Sequence, residues 1–548
     1  MTPLQMARRK FGFDSFNAGQ KDAISAVIAG RDTLAILPTG GGKSAIYQIA
    51  GLSLDGPTVV VSPLLALQRD QVDSIENKHI ADAELLNSTL SRAQREEVWE
   101  HVEAGDTDFL FLAPEQLANS QTLERLKAAK PALVVIDEAH CVSQWGHDFR
   151  PDYLRLKAMI EELGRPPILA LTATASPPIR DEICARLGLK TPKIVVAGFD
   201  RPNIFLEVRR FENCDAKTVA LIEAVVEGPK PAIIYASTRA ATEELADQLG
   251  ARGQNAIAYH AGLENHERDA RQLAFMNGEI EIIVATIAFG MGIDKADVRR
   301  VWHHDVSDSL DSYYQEAGRA GRDGKDAQAI LFFCAADLGV RRFQASGGKF
   351  DAQNAAQMAA VIVDLARDDE DGTVPIEVLR EQTNLSASKL TRAVAQLEDA
   401  GALEIRPGGD LLPLEHLSLK RVREEVEAAR AREREWEHSR LDMMRQYAEE
   451  RGCRRQFLLS YFGESLENAC GNCDNCCGET SSETASASQV SSAEQPFPIG
   501  ARVAHKTWGQ GQVLRYDGDK IVVVFDEAGY KTLAVELVRQ NGLLETVD

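Results

Sequence analysis

The chain has 548 residues, enough for about three to five domains. Hydrophobic residues make up 44% and charged residues 26%, a globular balance, and no run approaches the ~18 apolar residues of a membrane-spanning helix. Acids outnumber bases 83 to 61, a formal charge of −22, which counts against a phosphate-binding surface unless a local groove reverses it.

Met1–Phe16 is basic but has no apolar core behind it, so it is not a secretory signal, and the chain reads as cytoplasmic and without a membrane partner. From the N-terminus to about residue 335, short apolar runs alternate with amphipathic helices. The predicted strands are Thr33–Leu37, Thr58–Ser62, Phe109–Ala113, Leu133–Asp137 and Ile168–Thr172. A second series follows at Pro231–Ala236, Asn255–His260, Glu281–Thr286, Arg300–His304 and Ala327–Cys334. Such alternation predicts an α/β fold with two tandem parallel-sheet lobes, 1–200 and 201–345, joined near Ala197–Arg210. Residues 346–415 read as a winged-helix-like unit: helix Pro375–Glu381, helix Ala387–Gly401, and a wing of Leu403–Arg406 with Leu411–Pro413. His416–Arg451 holds no Gly or Pro and reads as a long helix or helix pair, opening a helical metal-binding segment, 416–478. Residues 479–496 have the composition of a disordered linker. Residues 497–548 return to strands, with a hairpin turn at Asp517-Gly518-Asp519 and the outline of a small β-barrel.

The strongest local signal is Ala35-Ile-Leu-Pro-Thr-Gly-Gly-Gly-Lys-Ser44. It follows a strand and precedes a helix, as a phosphate loop requires. Thr39, Gly40, Gly41 and Gly42 would close backbone amides on phosphate, Lys43 would reach the β and γ phosphates, and Ser44 would ligate Mg²⁺. A strand then ends on Asp137-Glu138, one acid to hold Mg²⁺ and one to polarise the attacking water. In the second lobe Arg319 and Arg322 lie three apart, on one face if the segment is helical, placed to meet a γ-phosphate across a cleft. Of the nine cysteines, Cys141, Cys184, Cys214 and Cys334 stand singly, while five crowd into Cys453–Cys477. In a reducing compartment the cluster favours a metal over disulfides. Cys453, Cys470, Cys473 and Cys476 suit structural Zn²⁺, with Cys477 competing for the fourth place.

These blocks resemble superfamily-two helicases, and closely the RecQ family of DNA helicases. The stretch Asp137-Glu-Ala-His-Cys-Val-Ser-Gln-Trp-Gly-His-Asp-Phe-Arg-Pro-Asp-Tyr153 is similar to the DEAH box and aromatic-rich loop of that family. The resemblance implies that Trp145, His147, Phe149 and Arg150 couple single-stranded DNA to ATP hydrolysis, through base stacking and a phosphate contact. It implies RecA-like lobes, an adenine contact at Gln20, a DNA-backbone contact at Ser62 in Ser62-Pro-Leu-Leu-Ala-Leu-Gln-Arg-Asp-Gln71, and motif IV DNA contacts at Tyr235 and Arg239. Leu171-Thr-Ala-Thr174, Tyr259-His-Ala-Gly-Leu263 and Thr286-Ile-Ala-Phe-Gly-Met-Gly-Ile-Asp294 are further similar blocks. The family usually carries Arg-Pro where this chain has Asn17-Ala18. The implied activity is 3′→5′ translocation on single-stranded DNA with unwinding of forked or tailed duplexes by a monomer, in DNA repair and recombination. A DNA-dependent translocase with weak unwinding and a partner-binding scaffold are the rivals.

The order of the C-terminal half departs from the family, where the zinc domain usually precedes the winged helix. Here the winged-helix-like unit comes first, and residues 351–416 carry five bases against thirteen acids. A DNA-reading helix-turn-helix is normally basic, so a structural or protein-binding role stands beside duplex contact through Lys389 and Arg392. The C-terminal block resembles the Tudor-like barrel that ends UvrD/PcrA-type helicases, which implies a protein partner such as RNA polymerase or a repair factor, or nucleic acid. By region, residues 1–350 carry 39 bases and 48 acids, and residues 351–500 carry 16 and 28. The acidity is concentrated outside the two lobes.

Overall fold

A computed structural model describes residues 2–547 apart from 64, 88, 144–149, 291, 292, 294, 347–351, 368, 370, 384, 386, 407–409, 415–418 and 479–494. The first lobe holds β1 (Thr33–Ile36), β2 (Thr58–Val61), β3 (Ala83–Leu86), β4 (Phe109–Leu112), β5 (Leu133–Ile136), β6 (Ile168–Thr172) and β7 (Lys193–Val196). They form a parallel sheet ordered β3-β4-β2-β5-β6-β1-β7. The second lobe holds β8 (Ile204–Phe211), β9 (Ala232–Tyr235), β10 (Ala256–Tyr259), β11 (Ile282–Ala285), β12 (Arg300–His303) and β13 (Ala327–Cys334), ordered β10-β11-β9-β12-β13-β8. The central strands are buried along their whole length, because helices cover both sheet faces, and this is why they read as unbroken apolar runs.

Three strands lie outside the expected set: β3, β7 and β8. All are sheet edges, where one side needs no partner and charged residues are tolerated; charges interrupt β3 and β8, and β7 is a short run of Ile194–Val196 behind Lys193. β8 alters the architecture most. It occupies the second half of the stretch expected to join the lobes and pairs with β13 over its full length, from Ile204 with Ala327 to Phe211 with Cys334. The true connector shrinks to residues 197–203.

The winged-helix-like unit has its own core. Helices Ala352–Arg367, Ile376–Thr383 and Ala387–Asp399 pack with the hairpin of β14 (Leu403–Ile405) and β15 (Leu411–Pro413) around Met358, Ile362, Leu390, Val394 and Leu411. Val422 and Val426, on the first turns of the helix Leu419–Glu449, belong to the same core. The expected boundary at 415/416 therefore does not separate this core from the long helix. That helix is one unbroken element of 31 residues.

The C-terminal strands β16 (Arg502–His505), β17 (Gly509–Asp517), β18 (Lys520–Phe525), β19 (Gly529–Ala534) and β20 (Leu544–Thr546) form an antiparallel sheet ordered β19-β18-β17-β16-β20. This sheet is docked against the rest of the chain. Tyr530 stacks on Tyr461 with ring centroids 5.0 Å apart, and the Arg515 guanidinium lies 3.9 Å from the Phe457 ring centre. Lys531 pairs with Glu435 of the long helix at 2.7 Å. The linker expected at 479–496 falls almost wholly outside the described residues. One expectation about cysteine is corrected: Cys214 and Cys334 are not single thiols but a disulfide joining the start of helix Cys214–Glu227 to the end of β13, with Cα atoms 5.7 Å apart. The parallel pairing of β13 with β8 brings those two positions together, a proximity that 120 residues of separation conceal. No described helix is long and apolar enough to cross a membrane.

Candidate nucleotide and nucleic-acid site

β5, β6 and β1 lie side by side and run parallel, so the loops at their C-terminal ends share one edge of the sheet. After β1 the chain turns through Thr39–Gly42 into helix Lys43–Gly51. Gly40 and Gly42 have φ of 81° and 75°, and a side chain on Gly42 would run into the Gln20 amide. The amides at the start of this nine-residue helix form the kind of cradle that holds phosphate, and Ser44 stands in its first turn. The Lys43 ammonium donates to the carbonyls of Leu37 at 3.2 Å and Pro38 at 3.5 Å. Burial pulls it below its ordinary value, Glu138 and Asp137 push it back up, and Arg322 lowers it again. Gln20 is buried. Its amide donates to Gly42 O at 3.0 Å and its carbonyl oxygen accepts from the Asn17 amide at 2.8 Å, so it is tied to the phosphate loop.

After β5, Asp137 accepts the Glu138 N–H at 3.0 Å, and Ser62 Oγ lies 3.5 Å from its other oxygen. Burial raises this carboxyl above its ordinary range, with Lys43, the Glu138 amide and Ser62 opposing. Glu138 has φ of 48°, left-handed backbone that costs roughly 1–3 kcal/mol in a residue with a side chain. Its carboxylate lies 3.3 Å from His140 Nδ1, and the same nitrogen is 2.9 Å from Thr172 Oγ1 at the end of β6. Thr172 Oγ1 donates to Thr174 O, and Gln315 of the second lobe donates to Thr174 Oγ1 at 3.3 Å. Hydrogen bonds therefore run from His140, beside the acid pair, through Thr172 and Thr174 to the other lobe.

In the second lobe, Arg319 and Arg322 are not on one helical face. The helix Leu310–Ala317 ends at Gly318, and the left-handed Gly321 and Gly324 fold the residues beyond it into turns. Arg319 is buried and hydrogen-bonds the Tyr235 hydroxyl, which donates to Phe289 O at 2.8 Å. Arg322 donates to Ile293 O at 2.6 Å and is close enough to lower the Lys43 ammonium.

Two expected DNA contacts are revised. Tyr235 is buried in the lobe and positions Arg319, so it offers no surface to DNA. Ser62 is buried and faces Asp137. Arg239 is exposed at the start of helix Arg239–Ala251, beside Gly262 of the Tyr259–Leu263 block. Trp145, His147 and Phe149 lie outside the described residues. The base of their loop is described: Arg150 N–H donates to Cys141 O at 2.9 Å, and the Arg150 guanidinium donates to Pro63 O at 2.8 Å. Tyr153 then anchors the returning chain on Asp137 O at 3.1 Å. Arg150 and Tyr153, which follow that loop in sequence, are thus fastened to the acid pair and to the Ser62–Gln71 block.

The four expected metal ligands come together. The Sγ atoms of Cys453, Cys470, Cys473 and Cys476 lie within 4.8 Å of one another. Tetrahedral Zn–S bonds of ~2.3 Å place sulfurs about 3.8 Å apart, and Cys470 and Cys476 are 3.9 Å apart. Burial pushes the Cys476 thiol up to about 11, a cost that a bound cation would remove. Cys477 is exposed and hydrogen-bonds Gly471 O instead. Residues of the lobe connector and of the segments joining the lobes to this cysteine site were not singled out from sequence. Arg455 pairs with Asp200 at 2.6 Å, and Asp474 accepts from the Val208 amide on β8 at 3.0 Å. The Asp200–Asn203 stretch reads as an ordinary connector, and nothing local to it signals a partner 255 residues away.

Comparison with known proteins places these features. Residues 17–182 match the DEAD/DEAH box helicase family, 216–324 the helicase conserved C-terminal domain, and 416–477 the RecQ zinc-binding family. The chain is 37% identical over 481 residues to the probable ATP-dependent DNA helicase RecS of Bacillus subtilis, covering 87% of this chain and 92% of that one. It is 41% identical over 337 residues to the ATP-dependent DNA helicase RecQ of Pasteurella multocida, covering 61% of this chain and 53% of that one. Among solved structures, the Mycobacterium smegmatis helicase Lhr bound to ssDNA and AMP-PNP aligns with a TM-score of 0.52 at 22% identity, over 78% of this chain and 62% of that one, a likeness of fold. The acid pair, the phosphate loop, the facing arginines and the cysteine cluster thus sit in a framework with known relatives along most of its length: the chain belongs to the RecQ family of ATP-dependent DNA helicases.

Proposed function

We propose that this chain hydrolyses ATP to move 3′→5′ along single-stranded DNA and to separate forked or tailed duplexes. The carrying observation is the split site: Lys43, Asp137 and Glu138 stand on one lobe, and Arg322, held on Ile293 O of the other, lies close enough to lower the Lys43 ammonium. In this reading the phosphate loop holds the nucleotide phosphates and Gln20 reads adenine. Asp137 and Ser44 would hold Mg²⁺, which would supply positive charge beside the raised Asp137 carboxyl. Glu138 takes the proton of the attacking water, and Arg319 and Arg322 stabilise charge on the γ-phosphate. Closing the lobes completes the site, so the nucleotide state sets their spacing. Arg150, Arg239 and the aromatic loop form the DNA track. Zn²⁺ on the four cysteines holds its domain on the β8 edge.

Duplexes with a 3′ or a 5′ single-stranded tail test this. Displacement of the 3′-tailed substrate, dependent on ATP and lost in Lys43→Ala, is the expected result. DNA-stimulated ATPase with no displacement on either tail would leave a translocase instead.

A further inference from the structure

The connector between the lobes touches the arginine turn on one side and the cysteine domain on the other. The Arg201 guanidinium donates to Gly318 O at 3.0 Å, Ala320 O at 3.0 Å and Gly321 O at 3.1 Å. Asn203 adds bonds to Gly321 O at 2.8 Å and Lys325 O at 2.9 Å. The carbonyls of Gly318, Ala320 and Gly321 belong to the C-cap and the turn that follow helix Leu310–Ala317. A cation facing several of them forms charge-assisted bonds and suits the negative end of the helix. The same turn carries Arg319 and Arg322. On the opposite side, Arg455 pairs with Asp200 at 2.6 Å and donates to Ile204 O at 2.6 Å, while Asn472 donates to Pro202 O at 2.8 Å. Phe462 stacks on Phe199 with centroids 4.6 Å apart.

We infer that Arg201 is a positioning residue for ATP hydrolysis: it fixes the turn that bears Arg319 and Arg322, and the cysteine domain holds Arg201 in place through Asp200. The inference rests on the two-lobe ATP site proposed above. The Arg201 guanidinium is committed to three backbone carbonyls, so its loss is expected to act on turnover and leave binding intact.

The test is DNA-stimulated ATPase of the full chain as Arg201→Ala, Arg201→Lys, Arg319→Ala and the Arg201→Ala/Arg319→Ala double variant, with KM for ATP and Kd for single-stranded DNA. A small misplacement of a reacting group costs roughly 100-fold. Arg201→Ala is therefore expected to lower kcat about 10- to 100-fold, with KM and Kd within about twofold of the unsubstituted chain. Arg201→Lys keeps an intermediate kcat, because an ammonium still reaches some of the carbonyls. The double variant is slower than Arg319→Ala by clearly less than the loss Arg201→Ala causes alone, since the turn that Arg201 fixes carries Arg319 as well as Arg322. Unchanged kcat in Arg201→Ala, or losses that multiply in the double variant, overturns the assignment. If Arg201→Ala does not fold, Arg201→Lys and its double with Arg319→Ala decide by the same criteria. Absence of DNA-stimulated hydrolysis in the unsubstituted chain overturns the parent reading, and this assignment with it.

Discussion

Asp32 shows how one side chain holds the frame behind the site. Its carboxylate is gripped by Arg165 at 2.6 Å and accepts the Ile168 amide at 3.0 Å and the Lys190 amide at 2.7 Å, fastening the segments leading into β6 and β7 beside β1. Burial alone would raise this carboxyl, but the bonds from Arg165, Lys190 and Ile168 hold it below its ordinary value. A depressed carboxylate contributes stability above its unfolded pKa of about 3.9 and loses it as pH falls through the lower folded value. Asp32→Asn is therefore expected to destabilise the first lobe by about 3–5 kcal/mol at pH 7, a deficit that closes below about pH 4; thermal unfolding across pH checks it. Lys43→Ala removes the cation beside Asp137 and Glu138, and phosphate release is expected to fall by at least ~100-fold. Lys43 and the acid pair were legible because their chemistry demands contiguous residues. Asp32 and Tyr235 were not. Asp32 acts through partners more than 130 residues distant, and Tyr235 belongs to a motif position whose side chain points inward.

Among the elements, buried central strands announced themselves, and of the four edge strands only β10 did; β8 stayed hidden because a strand half open to solvent reads like a connector. The cysteine segment was legible to its ligand set, since spacing constrains a tetrahedral site. Cys476→Ser is expected to lose most of the bound zinc and Cys477→Ser to keep one ion per chain, as metal analysis of the purified variants will show. The docking of the terminal sheet was not legible, because Tyr530 and Arg515 look like ordinary strand residues until Tyr461 and Phe457 are found beneath them. Cleavage within residues 479–494 is accordingly expected to leave both pieces eluting together on gel filtration. Tyr530→Ala is expected to release the terminal piece, since truncating a buried aromatic costs about 3–5 kcal/mol.

At the scale of the molecule, the acid excess is densest in residues 351–416, with five bases and thirteen acids, while residues 1–350 still carry 48 acids against 39 bases. Only a few cations can then face the DNA backbone. The slope of log K against log salt for single-stranded DNA is expected to be no steeper than about −4, which corresponds to five or six neutralised phosphates.

The union of β8 with the cysteine domain has a consequence in time. β8 is made just after the first lobe, yet the Asp474 carboxylate that takes its Val208 amide lies 266 residues later. At roughly 5–20 residues per second, synthesis leaves that strand edge uncovered for on the order of 13–50 s. An open edge is a template for pairing with another chain. During that interval the β8 edge of the nascent second lobe is open to such pairing.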